Sequence, residues 1–137
     1  VKPGDRVGTL AWNDYRHYEL YYAVSCMGAV LHTINPRLFP EQLEYIINHA
    51  ADRFLFIDPT LLPLLKGLQG KIPCVERIVV MSSDEAMPAP VKGTLPSYES
   101  FIAGHSTEFD WPTFDERSSS GRVATRLTPI SRRLCTT

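Results

Sequence analysis

The sequence predicts an α/β domain: a partial parallel sheet, layered with helices. Two observations carry this. Four short runs rich in Val, Ile, Leu and Phe (7–12, 29–34, 53–57 and 75–81) alternate with stretches whose apolar residues recur at helical spacing. The strand–helix unit repeats about every 20–25 residues, the rhythm of a helix-covered parallel sheet. A chain of 137 residues suffices for one hydrophobic core, and 44% hydrophobic with 21% charged residues is an ordinary globular composition. The longest apolar candidate, 20–34, is interrupted by Ser25, Gly28 and His32 and falls short of the roughly 20 residues that span a bilayer.

Each element has a local reason. Pro3-Gly4-Asp5 is a turn signal ahead of the first strand. Asn13 or Asp14 can cap the following helix, since either side chain accepts from free backbone amides in a first turn. That helix is expected to run to Met27. Tyr18, Tyr21, Tyr22 and Ser25 fall on one face, and Leu20, Val24 and Met27 form a second apolar row. Two rows imply a helix packed on more than one side, with the tyrosines read as packing. Gly28 suits a left-handed helix end. Asn35-Pro36 breaks the second strand, and Pro40 fits the first turn of the next helix, where a missing amide costs nothing. Leu43, Ile46, Ile47 and Ala50 make one buried stripe, with Leu38 placed to staple onto Leu43. Asp58-Pro59 closes the third strand. A helix over 61–68 stops at Gly70, and 75–81 is the fourth strand.

After Ser82 the character changes. Pro88, Pro90, Gly93 and Pro96 mark an exposed connection. Ser97 can cap a short helix over 97–103, and the aromatics of 109–114 read as an ordered loop packed on a neighbour. Residues 1–115 carry 9 basic and 14 acidic side chains, whereas 116–137 carry five arginines and one acid, with no strand or helix periodicity. That shift divides the chain into a domain over 1–117 and an irregular tail over 118–137.

Several chemistries find no support. The small net charge of −1 argues against nucleic acid as a main partner. Cys26, Cys74 and Cys135 have no short spacing and read as reduced structural thiols, Cys26 as a small buried one. His17, His32, His49 and His105 lack metal-ligand spacing and read as surface or core-edge residues. Gly67-x-x-Gly70-Lys71 is too short for a phosphate loop and follows a helix, so it reads as a helix stop. No Gly-x-Ser-x-Gly elbow occurs. Arg37 and Arg53 could meet an anion, but single arginines are usually solvated or paired. A signalling reading has internal logic: Asp58 ends an apolar strand, Asp14 follows the first and Ser82 the fourth, as in a phospho-acceptor receiver domain.

The residues also carry a family resemblance. Gly4-Asp5-Arg6-Val7, Asn13 before a tyrosine-rich helix, Gly28-Ala29-Val30, Asn35-Pro36-Arg37-Leu38 and Pro40-Glu41-x-Leu43 occur in that order. The series resembles the N-terminal subdomain of the AMP-forming acyl-CoA synthetases, in the medium- and long-chain fatty acid branch. The match runs from Pro3 to Met81 and more loosely to Gly121. The resemblance implies a parent that activates a fatty acid with ATP and Mg²⁺ to an acyl-adenylate and transfers the acyl group to CoA; the cysteine usage, separately, points to the cytoplasm. Phe114-Asp115-Glu116-Arg117-Ser118 is similar to the family's lead-in to its phosphate loop. The Ser/Thr/Gly-rich loop ending in Pro-Lys is not found after it. No catalytic, cofactor-binding or metal-ligating residue is therefore assigned. The chain is expected to be an N-terminal fragment, inactive and marginally stable by itself, with a frame-shifted or otherwise non-homologous tail. A purely structural or dimer-forming module is the remaining alternative.

Overall fold

The computed structural model describes residues 1–113. Four parallel strands lie in the order β2-β1-β3-β4. They are β1 (Arg6–Leu10), β2 (Val30–Thr33), β3 (Asp52–Ile57) and β4 (Arg77–Val80). Between them run α1 (Tyr15–Cys26), α2 (Pro40–Ala50) and, after a 3-10 turn at Pro59–Leu61, α3 (Leu62–Leu68); α4 (Tyr98–Ile102) follows β4. The predicted α/β class stands, and all four strands sit where the sequence places them. β1, β2 and β4 are shorter by one to three residues, because flanking positions turn out of the ladder into loops, whereas β3 gains Asp52 at its start.

Alternation along the strands splits the core between the two faces. Val7, Leu31, Phe56 and Val79 join Leu20 and Val24 of α1 and Tyr98 of α4. Leu10, Leu55, Ile57 and Val80 join Leu43 and Ile47 of α2 and Leu68 of α3. A parallel sheet is stable only with cover on both faces, and here each face has some.

The helix ends explain the loops. The Asp14 carboxylate accepts the His17 amide at 2.8 Å, which decides between the two cap candidates. Gly28 has φ +80°, and α2 ends on Ala51 at φ +54°, a left-handed position occupied by a residue with a Cβ. Pro40 is the first residue of α2, with Leu38 packed into the cluster that holds Leu43. Gln42 adds a contact the sequence did not suggest, accepting the Phe39 amide at 3.1 Å. Ser97 caps α4 as expected, accepting the Ser100 amide at 3.0 Å.

Other expectations need correction. The connection over 82–96 is not wholly exposed: Met87 is buried in the core, held by the Ser82 hydroxyl donating to its Sδ at 2.9 Å. Phe109 and Trp111 pack edge-to-face on each other, 4.7 Å between centroids, and stay exposed instead of seating on a neighbour. Phe114 and the tail lie outside the described residues. Cys74 is a free thiol, and Cys26 is half-buried rather than fully buried.

Candidate functional site

In an open parallel sheet a ligand commonly sits beyond the carboxyl ends of the strands, where the chain order reverses. The order β2-β1-β3-β4 puts that reversal between β1 and β3. Trp12 crosses it, its indole N–H donating to Thr60 Oγ1 at 3.0 Å. Thr60 in turn donates from its hydroxyl and its amide to Asp58 Oδ1, at 2.6 and 2.8 Å. The three residues of the receiver-like layout are therefore engaged separately. Asp58 holds its own turn, Asp14 caps α1, and Ser82 is tied to Met87.

Two histidines that the sequence places at the surface or core edge are held by specific partners. His17 is buried; its Nδ1–H points to the Trp12 carbonyl at 3.2 Å, which leaves Nε2 to accept from the Thr9 hydroxyl at 3.1 Å. His32, on edge strand β2, directs Nδ1 to Asp52 Oδ2 at 2.8 Å. Asp52 is 0% exposed, and its Oδ1 has no hydrogen-bond partner among the described residues. A Cβ on Gly8 would lie 3.0 Å from Asp52 Oδ2 and 3.2 Å from Leu55 Cδ1, so the bare glycine makes room for the pair. Sequence reading missed Asp52, which it placed just outside the strand. The available signal was an acid opening an apolar strand, with a glycine in a strand that could lie beside it.

The remaining candidates are structural. Arg53 is shared between Asp5 and Glu76, bonding both oxygens of the latter at 2.7 and 2.8 Å. It pins the starts of β1 and β3 to the lead-in of β4. The Arg53 guanidinium holds Glu76 below its ordinary range; the Lys2 amide, then Arg53, do the same for Asp5. Gly70, at φ +74°, follows α3 as a helix stop. Among the helix-α1 tyrosines only Tyr21 packs on the core. Tyr15 and Tyr18 are exposed, and the Tyr18 hydroxyl donates to Tyr22 at 3.3 Å. Among the described residues the packing expected of the helix tyrosines is thus absent for Tyr18, and Tyr15 is exposed beside it.

Comparison with known proteins decides the lineage. The AMP-binding enzyme family matches residues 1–116. This chain belongs to that family. Its relatives include the 3-methylmercaptopropionyl-CoA ligase of Ruegeria pomeroyi, 56% identical over 88% of this chain and 22% of that protein. The medium-chain-fatty-acid–CoA ligase of Ectopseudomonas oleovorans is 43% identical, again over 88% of this chain and 22% of that one. This AMP-binding enzyme chain thus spans about a fifth of the length of the curated relatives it matches. An anthranilate CoA ligase solved with anthranoyl-AMP superposes with a TM-score of 0.74 at 24% identity, covering 86% of this chain and 21% of that one. The long-chain-fatty-acid-CoA ligase of Archaeoglobus fulgidus gives 0.71 at 24%, over 88% and 22%. At those identities the structures speak for the fold.

The groups that an AMP-binding enzyme implies do not fit the described residues. Among them no three His, Cys, Asp or Glu side chains converge closely enough to hold a metal ion. The helical starts at the carboxyl end of the sheet that follow β1 and β3 are already capped by Asp14 and Asp58, carboxylates that repel a phosphate. No helix among the described residues is long and apolar enough to cross a membrane.

Proposed function

We propose that this chain is the N-terminal portion of a fatty acid–CoA ligase that uses ATP, Mg²⁺ and CoA in the cytoplasm. Its contribution is scaffold, over 1–117, and residues 118–137 are a tail of different origin. Identity of 43–56% to proteins named as CoA ligases carries the reading. The capped helical starts and the lack of a converging metal-ligand group among the described residues support a scaffold without working groups. Taken alone, the chain is inactive. In an ATP–pyrophosphate exchange assay with fatty acid and Mg²⁺, the purified chain is expected to stay at background; acyl-adenylate formed by it would sink the proposal. For the tail, translation of the other two reading frames past codon 117 is expected to yield a Ser/Thr/Gly-rich loop ending in Pro-Lys.

The receiver-like reading has the strand order in its favour, since 2-1-3-4 is also the order of flavodoxin-like signalling domains. The engagement of Asp58 by Thr60 weighs against it. Labelling by a small acyl phosphate, lost in Asp58→Asn, is the result that would restore it.

A further inference from the structure

We propose that the aromatic face of α1, formed by the exposed Tyr15 and Tyr18 and the half-buried Tyr22, is where the remainder of the ligase polypeptide docks, while the outer face of α2 stays in solvent. The proposal rests on the ligase reading above. Helix α1 presents two apolar rows, and the described residues cover one of them. Leu20 and Val24 are buried, whereas Tyr15 and Tyr18 are 56% and 58% exposed. The helix has two charged side chains, and both are drawn aside toward α4. Arg16 pairs with Glu99 at 2.9 Å, and Glu19 accepts the Tyr98 hydroxyl at 2.8 Å. What faces outward is a set of rings, with Tyr18 and Tyr22 4.7 Å apart between centroids. At one end the Arg16 guanidinium lies over the Tyr15 ring at 4.5 Å and Glu99 accepts the Tyr15 hydroxyl at 3.0 Å, which makes that end a charged rim. Tyr18 and Tyr22 form the tyrosine-rich centre, the composition of an interface core.

Helix α2 supplies the contrast. Its exposed aromatic, Tyr45, stands among Glu41, Glu44, Asn48 and His49, with Lys71 3.7 Å from Glu44. That is a solvated face. The occupant follows from length. The relatives are matched over 22% of their own chains, so four-fifths of such a polypeptide lies beyond this segment and needs a surface to pack against. The partner surface is apolar, since the Tyr15 and Tyr18 hydroxyls already donate to Glu99 and Tyr22.

The test is a chimera in which the matching stretch of the Ruegeria pomeroyi ligase is replaced by this chain's 121-residue counterpart. Tyr18→Arg, Tyr18→Phe and Tyr45→Arg are compared in the chimera and in the isolated chain. In the isolated chain all three leave the thermal midpoint unchanged, because both tyrosines are exposed there. In the chimera Tyr18→Arg lowers the midpoint and cuts thioester formation about tenfold or more, as charge at an interface centre does. Tyr18→Phe and Tyr45→Arg have little effect. Equal tolerance of Tyr18→Arg and Tyr45→Arg in the chimera overturns the proposal. So does concentration-dependent dimerisation of the isolated chain that Tyr18→Arg abolishes, which assigns the face to a second copy. A folded, unsubstituted chimera that makes no thioester counts against the ligase reading, while its thermal comparison still decides the docking. If the chimera does not fold, arginine is placed at the positions aligned with Tyr18 and Tyr45 in the Ruegeria ligase, with the same two outcomes.

Discussion

Asp52 spends one oxygen on His32 and buries the other unpartnered, and Gly8 on the intervening strand leaves space for it. Gly8→Ala forces a Cβ against the carboxylate and Leu55 and is expected to cost about 1–3 kcal/mol in urea unfolding. His32→Ala leaves a buried carboxylate without its partner. With the imidazole about a quarter exposed, the loss belongs at the lower end, about 3 kcal/mol by the same measurement. The Arg53 cluster carries a pH signature. Asp5 and Glu76 both have folded values lowered from their ordinary ones, so their contribution is complete above the ordinary carboxylate range. It is lost as pH falls through the depressed folded values. Thermal midpoints measured from neutral pH into that acid window are expected to fall less steeply in Arg53→Gln than in the parent sequence. None of the His32–Asp52–Gly8 pairing was legible in the sequence. It depends on which strands become neighbours, and residues 8, 32 and 52 carry no local pattern that declares it.

Helix boundaries were the better-read elements, because their causes are local. Pro40 at the first position, Leu38 against Leu43, Ser97 as a cap and Gly28 at a left-handed end all follow from neighbours a few residues away. Asp14→Ala removes the α1 cap and is expected to cost about 1 kcal/mol by chemical denaturation. Ala51 runs the other way. It holds φ +54° with a Cβ, so Ala51→Gly relieves strain and is expected to stabilise the chain by about 0.5–1 kcal/mol, net of the unfolded-state entropy that glycine adds. Helix α1 marks where local reading stops. Its periodicity reports how many sides want cover; it does not report whether this chain supplies that cover.

At the scale of the whole molecule, the α/β class and the order of elements were readable because period-2 and period-3.6 patterns alternate cleanly through residue 81. The lateral order of the strands was not, since nothing in a parallel strand names its neighbour. The sheet has cover on both faces, yet among the described residues β2 has no strand on its outer side, and Tyr15 and Tyr18 of α1 are exposed. Both features suit a piece of a larger α/β body. At the carboxyl end of the sheet Asp14 and Asp58 hold turns.

The strand order also bears on the direction of chain growth. β1 is synthesised before β2 and β3, yet it lies between them. A nascent chain that has reached residue 50 can pair β1 along one side only. The other side waits for 52–57, when Arg53 closes onto Asp5 across 48 residues. A pause in translation before residue 57 therefore leaves β1 with an open edge, the state most prone to pairing with another chain.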